Sequence, residues 1–142
     1  MAGTFLDPLE LEYLDGRRWR LIAEFDYKLG SPDGIERVNV PKGFITDFAS
    51  IPRGLWNVLP PTGSYGKAAV LHDWLYQTRT IHTIHPSNGD SFRVCSRAEA
   101  DHVLLEAMEV LSVRRFTRWT IYAGVRVGGW AVWKKYRDQD HL

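Results

Sequence analysis

His72 and Asp73 stand side by side in Tyr65-Gly66-Lys67-Ala68-Ala69-Val70-Leu71-His72-Asp73-Trp74-Leu75-Tyr76, a stretch whose composition predicts a helix. A helix turns roughly 100° per residue, so the two side chains leave on different faces. Tyr65, Ala68, Ala69, Leu75 and Tyr76 surround His72 on the wheel as an apolar arc, and Asp73 falls at its edge. An imidazole in an apolar wall beside a carboxylate suits a tuned base or a metal site. A buried histidine satisfied by one hydrogen bond is the competing reading of the same residues.

A second carboxylate points to the same place. Ser96 followed by Glu99 forms a capping box, and the helix it opens is predicted to run over residues 97–111. On that helix Asp101 shares a face with Leu104, Leu105 and Met108, whereas Glu99, His102, Glu106 and Glu109 form a separate polar face. A carboxylate on an apolar face is buried and needs a partner. Packing the two apolar faces together makes His72 that partner. Asp101 would then fix the ring tautomer and raise the basicity of the other nitrogen, which can activate a water. The structural alternative for Asp101 is a pair with Arg97 or a tyrosine hydroxyl.

Asp73 and Asp47 are the candidate ligands for a hard cation, calcium or magnesium, because carboxylate oxygens suit such ions. Backbone carbonyls near Gly63 and Gly66, or waters, would have to complete the shell, and an Asx-type turn is the alternative role for Asp47. Other groups offer less. His82 and His85 bind a metal only if their segment is ordered. Ser50 lacks a nucleophile elbow, Cys95 has no activating neighbours, and Arg114, Arg115 and Arg118 read as a solvated helix start.

The elements that must position these groups fall in a clear order. Residues 9–14 alternate, Asp15-Gly16 signals a hairpin turn, and residues 19–27 read as the return strand. A third strand is expected over residues 36–40 and continues at 43–46, followed by a compact loop at 47–53 and a helical turn at 54–59. Helices are predicted at 65–79, 97–111 and 116–137, with residues 80–94 as a polar, irregular surface loop. Gly124 and Gly128 share a face of the last helix and invite close approach by another element. Strands first and helices after define an α+β class: an N-terminal antiparallel hairpin or small sheet, then three main helices. The chain reads as one domain over 1–142, strand-rich over 1–46 and helical over 54–137.

Composition narrows the classes. The 142 residues carry a formal net charge of +1, which gives no reason to expect nucleic acid as a partner. A single cysteine excludes an internal disulfide scaffold and a cysteine-rich zinc site. The first residues lack the pattern of a signal peptide, so synthesis in a cytoplasm is expected, with exit inside a larger particle or after lysis left open. The apolar run 119–133 contains Arg126 and is shorter than the roughly 20 residues of a membrane span, so no transmembrane segment is expected. Six Trp, six Tyr and six Phe leave open an aromatic core, an interface, or a groove for carbohydrate or lipid.

Val40-Pro41-Lys42-Gly43-Phe44-Ile45-Thr46-Asp47-Phe48-Ala49-Ser50-Ile51-Pro52, then Leu71-His72-Asp73-Trp74-Leu75-Tyr76, then Ser96-Arg97-Ala98-Glu99-Ala100-Asp101 through Glu106-Ala107-Met108, occur in that order. In these strings the chain resembles domain-of-unknown-function family 1353 over residues 40–129. The resemblance implies a bacteriophage or prophage context, hence synthesis in a host cytoplasm and a place in the virion as one destination, and no established activity. His72-Asp73-Trp74-Leu75-Tyr76 is also similar to the His-Asp-x-x-Tyr helix of secreted phospholipases A2. That similarity implies His72 as the water-activating base, Asp73 as a calcium ligand and Asp101 as the residue orienting the histidine. The disulfides and the glycine-rich calcium loop of that family are absent, and the β-rich N-terminal third has no counterpart there.

Two functions from different classes follow. One is a virion- or tail-associated hydrolase, metal-assisted in one form, that attacks lipid ester or peptidoglycan bonds of the host envelope with His72 and Asp101 as its catalytic pair. The other is a non-enzymatic tail or baseplate protein in which the pair only specifies packing and the partners are other phage structural proteins.

Overall fold

The computed structural model describes residues 3–16, 18–31, 33–48, 51, 54, 66–85 and 89–139. Its class is α+β, with two antiparallel sheets and a helical layer. The smaller sheet holds β2 (Leu11–Asp15), β3 (Arg18–Leu21) and β6 (Ile45–Thr46) in the order β2-β3-β6. Gly16 turns the β2–β3 hairpin at φ +48°, a left-handed conformation that glycine adopts without cost. The larger sheet holds β1 (Thr4–Phe5), β4 (Phe25–Lys28), β5 (Glu36–Val40), β7 (Thr80–His85) and β8 (Gly89–Val94), ordered β1-β4-β5-β7-β8.

Residues 19–27, expected as one strand, divide between the two sheets. The inward residues Leu21, Phe25 and Tyr27 keep an even spacing through the corner, so the sequence pattern carries no sign of it. The break is a change of partner. Leu21 donates to Phe44 O and Ile22 to Glu10 O, whereas Phe25 onward pairs with β5.

A larger correction concerns residues 80–94, expected as an irregular loop. They form the β7–β8 hairpin, in register from Thr80↔Val94 to His85↔Gly89. Thr80, Ile81, Thr83 and Ile84 supply the β-branched residues of a strand, and Gly89 takes the positive φ at its partner's start. Among the described residues of this stretch Ile81 alone points into the main core, which is why its composition reads as a loop.

The helices are α1 (Gly66–Thr78), α2 (Arg97–Val110), α3 (Arg115–Gly128) and α4 (Trp130–Gln139). The Ser96 cap forms as expected, its hydroxyl accepting from Glu99 N at 3.1 Å. The helix expected over 116–137 is two helices, not one, so the described residues hold four. Gly129 is the joint, and close approach occurs there: a Cβ on it would lie 2.4 Å from Tyr76 Oη and 2.5 Å from Val125 O.

α1 is the central element. Ala68, Ala69, Val70, Leu71, His72, Asp73, Leu75 and Tyr76 are all buried, so it meets protein on nearly every side. α2 lays Ala100, Asp101, Val103, Leu104, Ala107 and Met108 against the core. Polar side chains join the layers. Glu106 is engaged rather than solvated, accepting from Tyr27 Oη (2.6 Å), Gly3 N (2.9 Å) and Gly30 N (2.9 Å). Arg93 on β8 bridges Glu36 on β5 and Glu99 on α2. Among the described residues no helix is long and apolar enough to cross a membrane.

Candidate functional site

His72 and Asp101 meet as the helix faces require. His72 Nε2 lies 2.7 Å from Asp101 Oδ1, and both side chains are 0% exposed. The same oxygen accepts from Tyr76 Oη at 2.6 Å, one helical turn beyond His72, and the two rings of α1 lie 4.2 Å apart. Asp101 Oδ2 accepts from Arg126 Nη1 at 2.8 Å and from Arg97 Nη1 at 3.3 Å. One carboxylate therefore serves four donors from three helices. Tyr76 meets Trp133 of α4 edge-on at 5.2 Å, which brings the fourth helix against the cluster.

This arrangement sets the ionisation of its members. Burial pushes the Asp101 carboxyl up, but hydrogen bonds from His72, Tyr76 and Arg126 outweigh it, so the group ionises below its ordinary value. Burial, and then the bond to Asp101, push the Tyr76 hydroxyl well up, so it stays a neutral donor. Arg97 also donates to Val125 O (3.0 Å) and Arg126 O (3.2 Å), satisfying carbonyls at the end of α3. Arg137 does the same for α1, donating to Tyr76 O and Gln77 O at 2.7 and 2.8 Å. The cluster can orient an imidazole firmly, and it also fastens helix ends.

The two structural alternatives for Asp101, Arg97 and a tyrosine, both occur beside His72. Arg126 is the member the sequence reading missed. Its signal was a lone cation in the apolar run 119–133, which a membrane test registers only as a failed span.

Asp73 leaves α1 toward the smaller sheet instead. Its Oδ2 accepts from Thr46 Oγ1 at 2.7 Å, and Thr46 Oγ1 accepts from Phe48 N at 3.2 Å. Burial raises the Tyr136 hydroxyl, with the charges of Asp73 and Asp47 as the next causes, so these two carboxylates share a neighbourhood. Among the described residues no group of three or more His, Cys, Asp or Glu is arranged to hold a metal ion. Gly63 and Ser50 lie outside the described residues. His82 projects from β7 with Nε2 3.4 Å from Asp90 Oδ2, and the side chain of His85 lies outside what is described. Cys95 is buried and its thiol is pushed up to about 11, by burial first and Glu99 second, which keeps it protonated and unreactive.

Known proteins resemble this chain without explaining it. An uncharacterized protein, y4jT, of Sinorhizobium fredii is 39% identical over a stretch covering 58% of this chain. That stretch is 26% of the relative, so the chain spans about a quarter of its length. No solved structure matches the chain. The family described as protein of unknown function (DUF1353) matches residues 19–125, a stretch that carries His72, Asp73, Asp101 and Asp47. The chain belongs to that family.

Proposed function

We propose that this chain is a non-enzymatic structural or assembly protein of a phage tail or baseplate, and that the His72–Asp101 pair specifies helix packing. The observation that carries this reading is saturation: Asp101 meets four donors while His72 and Asp101 are sealed from solvent. A general base needs a nitrogen that reaches a water or a substrate proton. Buried polar groups with full partners, by contrast, fix one arrangement of the elements they join.

The surface suits a partner. Phe116 (82% exposed), Trp119 (50%) and Val127 (78%) follow one another down the outer side of α3 at helical spacing, with Ala123 between them and Trp130 at the start of α4. Apolar rows of this kind on a folded surface mark interaction sites. Arg114 and Arg115 at the start of α3 and Lys134 and Lys135 on α4 are exposed, against one acidic residue, Asp138, within residues 114–139, so a protein face with an acidic rim fits best. The test is to look for the chain in purified phage or prophage particles. Wild-type protein is expected in the particle, and Phe116→Ser with Trp119→Ser is expected to remain folded and be left out. Absence of the wild-type chain from particles sinks the reading.

The hydrolase remains the second reading, favoured by the 2.7 Å contact that would orient His72. It assigns His72 as base and Asp101 as orienter, with calcium or magnesium at Asp73 and Asp47, and the host envelope as substrate. It expects a folded His72→Ala protein to lose lipid release or host lysis.

A further inference from the structure

The outer face of the larger sheet carries a second site, unrelated to the buried cluster. Strand register sets it up. Asp26 pairs with Asn39 across β4 and β5, Arg37 with His82 across β5 and β7, and His82 with Phe92 across β7 and β8. Successive residues of a strand alternate faces, so these five share the side opposite Tyr27, Val38 and Ile81. Pro41 and Trp74 complete a cleft of about 450 Å³. That size falls within the range of small-ligand sites.

The chemistry of the walls is specific. Asp26 accepts from Asn39 Nδ2 and, at 3.3 Å, from Arg37 Nη1, so three planar polar groups are held in one fixed cluster on rigid strands. The rings of His82 and Phe92 stack at 4.6 Å and 13°, with Phe92 69% exposed and therefore open to a ligand. His82 Nε2 is shielded from solvent and lies 3.4 Å from Asp90 Oδ2 without a hydrogen bond to it, so the imidazole contributes its ring to the wall. Asp26 and Asp90 balance Arg37, so a phosphate or carboxylate ligand would face two carboxylates and gain little from one cation.

A ligand that uses all of this has an apolar face to lie on an aromatic ring and a rim of uncharged donors and acceptors. A pyranose ring has both: C–H groups on one face and hydroxyls around the edge. We propose that this cleft binds a neutral oligosaccharide, with Phe92 as the stacking platform and Asp26 and Asn39 reading hydroxyls. The α3 surface is not involved, and the proposal stands whether or not the chain is a particle component.

The test titrates the isotope-labelled full chain with chitotriose, with maltotriose and with inorganic phosphate, following the Trp74 indole and the backbone amides of β5, β7 and β8. One trisaccharide at least is expected to shift these signals at concentrations up to about 10 mM, the weak end of specific binding. Phe92→Ala is expected to weaken that binding roughly three- to tenfold, the loss of one aromatic contact. Asn39→Ala is expected to weaken it roughly threefold or more, the loss of one hydrogen bond. Both side chains lie on the outer face, and a preserved amide spectrum verifies their folds. The proposal is overturned if neither saccharide shifts these signals, if phosphate does so in their place, or if both variants bind as the wild type does.

Discussion

At Asp101 two opposed effects meet, and the donors win. The carboxyl is fully buried, which favours its neutral form, yet hydrogen bonds from His72, Tyr76 and Arg126 hold it below its ordinary value of 3.8. A carboxyl depressed in the folded state is protonated more readily in the unfolded chain. Its contribution to stability is therefore complete above about pH 4 and is lost as the pH falls through the folded value. Asp101→Asn leaves Arg97 and Arg126 facing a neutral amide. It is expected to cost about 3–5 kcal/mol in urea unfolding at pH 7 and to flatten the acid limb of the stability profile. A loss of under roughly 1 kcal/mol would mean that the cluster is a surface-like pair of little consequence. His72 and Asp101 were legible in the sequence because each breaks an apolar helix face. Arg126 was not, because a cation reaching inward along its stem looks like one pointing outward.

The helices and strands differ in how openly the sequence declares them. The Ser96 capping box and the buried arc of α1 announce their helices by local chemistry, and both form within a residue or two of the expected bounds. The β7–β8 hairpin is hidden because strand pairing is a long-range property. Its edge strand is exposed, and among the described residues Ile81 is its only fully buried contribution. Ile81→Ala is expected to cost about 2–5 kcal/mol, as for other buried aliphatic truncations. Val94→Ser, at a position 67% exposed, is expected to change stability by no more than about 0.5 kcal/mol. Equal effects by thermal melting would place the hairpin's anchorage elsewhere. The α3–α4 joint was hidden by the reverse problem, since Gly124, Gly128 and Gly129 look alike in sequence. A Cβ on Gly129 would lie within 2.5 Å of Tyr76 Oη and Val125 O, and one of those is backbone and cannot yield. Gly129→Ala is expected to lose about 1–3 kcal/mol through overpacking, read as a lowered Tm. An unchanged Tm would show that the joint relaxes freely.

For the molecule as a whole, the cluster around Asp101 is satisfied and parts of the surface are not. His72, Tyr76, Arg97 and Arg126 are all paired with Asp101, whereas an apolar row on α3 and an aromatic cleft on the outer sheet face solvent. That contrast suits a chain that works through its surface. The buried pair makes the central claim directly testable by measuring lipid and glycan release from host envelopes by the wild-type chain beside His72→Gln. Equal, background-level release from both is the predicted result, with His72→Gln altering only stability. Release by the wild-type protein that a folded His72→Gln protein loses would contradict the account and make His72 a catalytic base.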